Sequence, residues 1–301
     1  MNKPERVDAH QHFWRLARGD YRWLRGDDAA LAPIHRDYEP EHLFPHAAAH
    51  GVLRTVLVQA ADSPAETEHL LALASAHDLV GAVVGWVDMA DPASVALLER
   101  WARHPKFRGV RPMLQDLPDA NWIASAPHPD VVQVMLRLGL RFDALVQPRH
   151  LAALEHFVAR WPQLPVVIDH AAKPQLADGP ARGWQAEGAL ARADDWRRGM
   201  AALAGHGHVH CKLSGLLTEC AGSARAGGDA GLVALQPVVD DLLRWFGPER
   251  LLWGSDWPVL ELATGYGEWV ALAEQLLAGL GERERAAIRR DNAVRFYALD
   301  C

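Results

Sequence analysis

Short apolar runs alternate with amphipathic stretches along nearly the whole chain. The runs Arg6–Phe13, Arg54–Ala61, Val80–Val87, Phe107–Met113, Leu140–Val146, Pro165–His170, Val209–Ser214 and Leu251–Asp256 predict eight strands. Between them, apolar residues spaced for one face of a helix predict Ala65–His77, Ser94–Arg103, Val131–Leu138, Leu151–Trp161, Trp196–Ala204, Leu235–Trp245 and Glu268–Leu280. Leu70, Leu71 and Ala74 illustrate such a face. Eight strands alternating with helices predict an α/β fold, a (β/α)8 TIM barrel, as a single domain spanning residues 1–301. A doubly wound open sheet is the alternative, but no G-x-G-x-x-G follows the first strand. No repeat, low-complexity run or linker divides the chain. Gly19–Pro33, Ala171–Asp195 and Leu216–Gly231 are longer than simple connections and follow the first, sixth and seventh strands. In a barrel all three fall on the C-terminal rim, where active sites are built.

Strand alternation then nominates side chains. Asp8, His10 and His12 share one face and are expected to point at the barrel axis, with Val7, Ala9 and Phe13 meeting the helices. The same reasoning selects Gln59, Arg111, His170, Lys212, Ser214 and Asp256 near strand C-termini. The chain holds 16 histidines in 301 residues, so about one His-x-His pair is expected from composition alone. A richer cluster, His206, His208 and His210, sits at the start of the seventh strand, on the stability face, and reads as structural. What singles out His10 and His12 is their convergence with His170 and Asp256 at one rim. Asp8 reads as a strand-start residue pairing with a nearby base, and Asp143 and Asp169 as wall residues. Of 12 tryptophans, Trp101, Trp161, Trp245 and Trp269 read as helix packing, whereas Trp14, Trp23, Trp86, Trp122 and Trp257 fall at rim positions suited to a substrate wall.

Charge and composition narrow the class. Lys and Arg number 31 against 38 Asp and Glu, a net charge of −7 that argues against bulk binding of nucleic acid or an anionic membrane. No apolar stretch is long enough for a membrane span, and the first residues lack a signal-peptide core. Three cysteines without a CxxC form no disulfide framework, so a reducing, cytoplasmic setting is expected. Oligomeric state is not legible.

Three imidazoles and a carboxylate at one mouth suit acid–base or single-metal chemistry. Asp256 is the candidate general base, and His10, His12 and His170 either polarise a carbonyl or hold one Zn²⁺ together with Asp256. A catalytic zinc keeps one position open, so His10 and His12 are the expected ligand pair and His170 or Asp256 the outsider. Arg111 and Lys212 are expected to hold substrate oxygens, with Gln59, Trp14, Trp23, Trp86 and Trp122 completing the substrate surface. No G-x-S-x-G elbow supports a serine esterase, and no organic cofactor is expected.

The stretches VDAHQHFW (7–14), VLVQA (56–60), FRGVRPMLQ (107–115), VVIDHAAKP (166–174), CKLSGL (211–216), LLWGSDWPV (251–259) and NAVRFYAL (292–299) span almost the whole chain. They resemble the amidohydrolase superfamily, in its lactonase branch, and look most like sugar-lactone hydrolases of the L-fuconolactonase and L-rhamnonolactonase type. Relatives open 4-sulfomuconolactone or 2-pyrone-4,6-dicarboxylate. The resemblance implies a (β/α)8 barrel with His10, His12, His170 and Asp256 in its site, a small sugar lactone as substrate, and a place in deoxy-sugar breakdown. Arg111 stands where binuclear members carry a bridging carboxylated Lys or Glu, and the fifth strand has no His. At most one divalent cation is therefore expected, and a two-metal centre is not. The competing readings are a metal-dependent non-oxidative decarboxylase, a hydrolase of an aromatic-pathway lactone, and a non-catalytic sugar-binding protein.

Overall fold

A computed structural model describes residues 4–176 and 189–300. All eight predicted strands form, each ending before its apolar run does. They are β1 (Arg6–Gln11), β2 (Val52–Val58), β3 (Val80–Gly85), β4 (Phe107–Val110), β5 (Arg141–Ala144), β6 (Val166–Ile168), β7 (Val209–Leu213) and β8 (Leu251–Trp253). Neighbours pair in parallel in the order β1 to β8. Two backbone bonds beyond the strand ends close the ring. The Asp256 N–H donates to the His10 carbonyl and the His12 N–H to the Trp257 carbonyl, both at 2.8 Å. The result is a (β/α)8 barrel.

The predicted helices are present as Pro64–Ala76, Ser94–Trp101, Pro129–Arg137, Leu151–Arg160, Ala189–Ala204, Gly228–Phe246 and Tyr266–Leu276. The two before β7 and β8 begin upstream of the predicted Trp196 and Leu235. Part of the rim segment Ala171–Asp195 lies outside the described residues. The helix Pro40–His50, between β1 and β2, escapes the apolar-face test. It begins with Pro40, whose missing N–H is no loss in a first turn, but Pro45 interrupts its interior. A further helical stretch, Glu282–Tyr297, follows the last barrel helix.

The barrel interior is layered. Val7, Ala9, Val56, Val58, Ala82, Val84, Val167 and Leu252 form one buried cluster. Strands this far apart around the ring meet only at its axis. Phe296 and Tyr297 join them from the C-terminal helix and plug the N-terminal end. The Tyr297 hydroxyl donates to Asp143 Oδ2 at 2.7 Å.

This corrects the simple alternation expected for β1. Val7 and Ala9 point to the axis, and Asp8 points outward. The cause is a β-bulge, because Asp8 pairs with Thr55 but Gln11 pairs with Leu57, so β1 carries one extra residue. Past the bulge, His10 and His12 enter the interior, while Gln11 Nε2 donates to Thr55 Oγ1 at 3.1 Å. Outside, the Asp8 carboxylate accepts from the Ser255 N–H (2.8 Å), the Ser255 hydroxyl (2.6 Å), the Tyr266 hydroxyl (2.9 Å) and the His10 N–H (3.2 Å). Its partners are hydroxyls and amides, not the base expected.

The His206, His208 and His210 cluster lies at the opposite end, as expected. His206 reaches Glu155 at 3.5 Å, and the His210 ring packs 4.8 Å from Phe296. Among the described residues no helix is long and apolar enough to cross a membrane.

Candidate active site

Above the apolar layer lies a charged one. Lys212 of β7 is wholly buried, with Nζ 2.6 Å from Asp143 Oδ2, 3.0 Å from Asp169 Oδ1 and 3.0 Å from His10 Nδ1. Two hydrogen bonds, to Asp143 and His10, and an ion pair with Asp169 enclose it. Lys212 is therefore a buried counter-ion beneath the site and not the expected rim residue. Burial pushes the Asp143 carboxyl up, whereas at Asp169 burial is outweighed by Lys212, which holds that carboxyl well below its ordinary value.

The next layer holds the candidate catalytic residues. His10 and His12 leave β1, His170 follows β6, and Asp256 follows β8. Asp256 Oδ1 lies 3.4 Å from His12 Nε2 and 3.8 Å from both His10 Nε2 and His170 Nε2. His10 Nε2 and His12 Nε2 are 3.2 Å apart. The His12 Nδ1–H donates to the Val58 carbonyl at 2.8 Å, so the neutral ring turns a lone pair toward Asp256. His170 Nδ1 shares a hydrogen bond of 3.0 Å with Ser214 Oγ. Burial lowers all three imidazoles, His170 to about 4. Burial acts the other way on Asp256, but the three histidines prevail and hold its carboxyl well below the usual range.

Imidazole nitrogens and a carboxylate oxygen thus converge at one point. That donor set fits a cation. His10, His170 and Asp256 each offer an atom, all within 4.8 Å of one another. His12 stands outside this set, although its Nε2 is 3.4 Å from Asp256 Oδ1; on sequence His170 or Asp256 is the expected outsider.

Backbone strain marks the same residues. Asp256 has φ 59°, and His170, Ala171, Ala172 and Lys173 all have positive φ, between 48° and 59°. Each such residue costs about 1–2 kcal/mol and persists only where its surroundings impose it. Here Ala171 and Ala172 are fully buried, and the Trp196 Nε1–H donates to the Ala171 carbonyl at 2.8 Å. Gly215 backs the His170 ring. A Cβ there would lie 2.5 Å from His170 Nδ1 and 3.0 Å from Asp256 Oδ2.

A cavity of about 150 Å³ opens above these groups, lined by His12, Trp23, Ala60, Arg111, Met113, Gln115, Leu145, His170, Lys173, Asp256 and Val259. Of the expected substrate residues, Arg111 and Trp23 reach it. Arg111 donates to the Gln59 carbonyl and lies 3.5 Å from Asp169 Oδ2. Its buried Nε has no protein acceptor among the described residues. Gln59 is wholly buried; its side chain donates to the Arg111 backbone carbonyl at 2.7 Å, and its own carbonyl accepts from the guanidinium. Trp14 is core, its Nε1–H donating to the Arg36 carbonyl at 2.8 Å and its ring 5.5 Å from Trp23. Trp257 is buried against Tyr38, and neither Trp86 nor Trp122 lines the cavity. Lys173, Gln115, Met113, Leu145 and Val259 line it without having been singled out on sequence.

The amidohydrolase profile matches residues 7–299. The chain belongs to the amidohydrolase family. It is 45% identical to an L-fucono-1,5-lactonase of Burkholderia ambifaria, over 98% of this chain and 96% of that one. It is 38% identical to an L-fucono-1,5-lactonase of Burkholderia multivorans, again over 98% and 96%. Among solved structures, an amidohydrolase from Burkholderia multivorans with bound zinc superposes with a TM-score of 0.86 at 36% identity, covering 98% of this chain and all 100% of that one. The amidohydrolase fold and the barrel read from sequence are the ones found.

Proposed function

We propose that this amidohydrolase opens a sugar lactone, an aldonolactone such as L-fucono-1,5-lactone, to the free sugar acid. The carrying observation is Asp256 with its Oδ1 amid three buried imidazoles, in a cavity that Arg111 also lines. Similarity to two L-fucono-1,5-lactonases supports the substrate class. The cavity, at about 150 Å³, is well below the roughly 300–1,000 Å³ of drug-sized sites and suits a single ring.

The chemistry follows from the residues. Asp256 is ionised and accepts a proton from a water molecule. Its Oδ1 faces the imidazoles, which leaves Oδ2 for that proton. The water oxygen bonds to the lactone carbonyl carbon, and the carbonyl oxygen takes the negative charge. Arg111, fixed by Gln59 and Asp169, faces that charge with a donor already desolvated. Collapse breaks the ring C–O bond, and the proton on Asp256 passes to the departing oxygen. The product is a hydroxy acid, and the carboxylate is regenerated. His10, His170 and Asp256 would hold a single divalent cation, which would supply Lewis-acid polarisation of the carbonyl. Trp23 offers its face to the sugar ring.

The test is a panel of aldonolactones, 2-pyrone-4,6-dicarboxylate and aromatic carboxylic acids, assayed for ring opening and CO₂ release, with and without chelator. Ring opening fastest on an aldonolactone is expected. Faster opening of the pyrone, or CO₂ release without ring opening, would reject the assignment.

A further inference from the structure

We propose that Lys173, paired with Gln115, is the specificity-determining cation of the site and grips the hydroxyl oxygens of the sugar ring. This rests on the lactonase reading above. Lys173 ends the left-handed turn that starts at His170, and its N–H donates to the His170 carbonyl at 2.8 Å. An ordinary strand exit would send residues 170 and 173 in unrelated directions. The turn instead buries Ala171 and Ala172 in the core and brings His170 and Lys173 to the cavity wall together. Strain over four successive non-glycine residues persists only where the surroundings over-determine it, and such strain gathers at working sites.

The ammonium is placed for an external partner. Lys173 Nζ donates to Gln115 Oε1 at 2.7 Å. That is one of its three donors, and Lys173 lines the cavity. Gln115 is fixed in turn, its carbonyl accepting from Arg149 at 2.8 Å. No carboxylate of the described residues forms an ion pair with Lys173 within 4.0 Å. The contrast with Lys212, boxed in by Asp143, Asp169 and His10, is complete. Lys173 also forms no ion pair with Asp256 within 4.0 Å. A polyhydroxylated ring with its carbonyl at Asp256 and Arg111 presents its hydroxyls to this wall.

The experiment compares wild type, Lys173→Met, Lys173→Arg and Gln115→Ala on two probes, L-fucono-1,5-lactone and the unsubstituted δ-valerolactone. Thermal midpoints establish folding. A lost charged hydrogen bond predicts that the kcat/KM ratio of the hydroxylated to the plain lactone falls about 10- to 100-fold in Lys173→Met, carried by KM, with partial recovery in Lys173→Arg. A ratio within twofold of wild type overturns the proposal. A second arm measures calorimetric binding of L-fuconate to wild type and Lys173→Met, where a loss of similar size is expected and equal binding refutes. If wild type opens no lactone, the lactonase reading fails, and the binding arm still decides the role of Lys173.

Discussion

Replacing Gly215 with alanine tests whether the position of His170, rather than its mere presence, sets the rate. Two costs arise. The first is backbone, because φ at Gly215 is +60°, where an alanine costs about 1–2 kcal/mol. At roughly 2–4 °C per kcal/mol, the thermal midpoint should fall by a few degrees. The second is contact. The new Cβ would sit 2.5 Å from His170 Nδ1, against 3.4 Å for ordinary contact, so the ring must retreat by about 0.9 Å. That retreat breaks the 3.0 Å bond to Ser214 and draws Nε2 away from Asp256. A misplacement of about 1 Å in a catalytic group costs on the order of 10²-fold, which is the expected fall in kcat. Gly139 is the control: its φ is +64°, but nothing lies within 4 Å of a Cβ there. Gly139→Ala should lose comparable stability and keep wild-type turnover. The assay is proton release on lactone opening, with calorimetry for the midpoint. Wild-type kcat in Gly215→Ala, or equal losses of kcat in both variants, would refute the geometry.

Asp256→Asn should keep its circular dichroism and lose at least ~10² in kcat, and His170→Asn should follow it, whereas His208→Asn at the other end of the barrel should turn over normally. Near-normal turnover in Asp256→Asn would remove the general base. Lys212→Met leaves Asp143 buried without its cation, and Asp169 with Arg111 alone, and should cost about 3–5 kcal/mol by urea unfolding. An undiminished stability with a raised KM would return Lys212 to the substrate surface. Elemental analysis should find at most one divalent ion per chain, since the Arg111 guanidinium disfavours a second; two equivalents lost together with activity on chelation would overturn this.

The eight strands are legible because runs rich in β-branched residues, such as Thr55–Val58 and Val166–Ile168, favour extended backbone. His10, His12, His170 and Asp256 are legible because a buried polar group at a strand's C-terminal end has few structural reasons to be there. What escapes is local register and environment. A period-two rule cannot foresee the bulge between Asp8 and Gln11, so it turns Asp8 inward and Val7 outward. Lys212 looks like a rim cation until Asp143 of β5 and Asp169 at the end of β6 are known to face it. Lys173 is hidden by the opposite problem: its left-handed turn contains no glycine to announce it. The tryptophans divide by depth, and depth depends on how the segment before Pro40 folds back, which Trp14 and Trp23 do not reveal by spacing.

The seam between β1 and β8 has a consequence for how activity comes into being during folding. Asp8 and Ser255, joined across it, are 247 residues apart in sequence. Closing so long a loop is the entropically demanding part of assembling such a chain, and local helices and neighbouring strand pairs form without it. A barrel still open at this edge holds His10 and His12 on one lip and Asp256 on the other, with nothing to bring them together. Turnover is therefore a property of the completed ring alone. Recovery of activity in a refolding chain reports the last long-range event, well after the spectroscopic signal of its helices has returned.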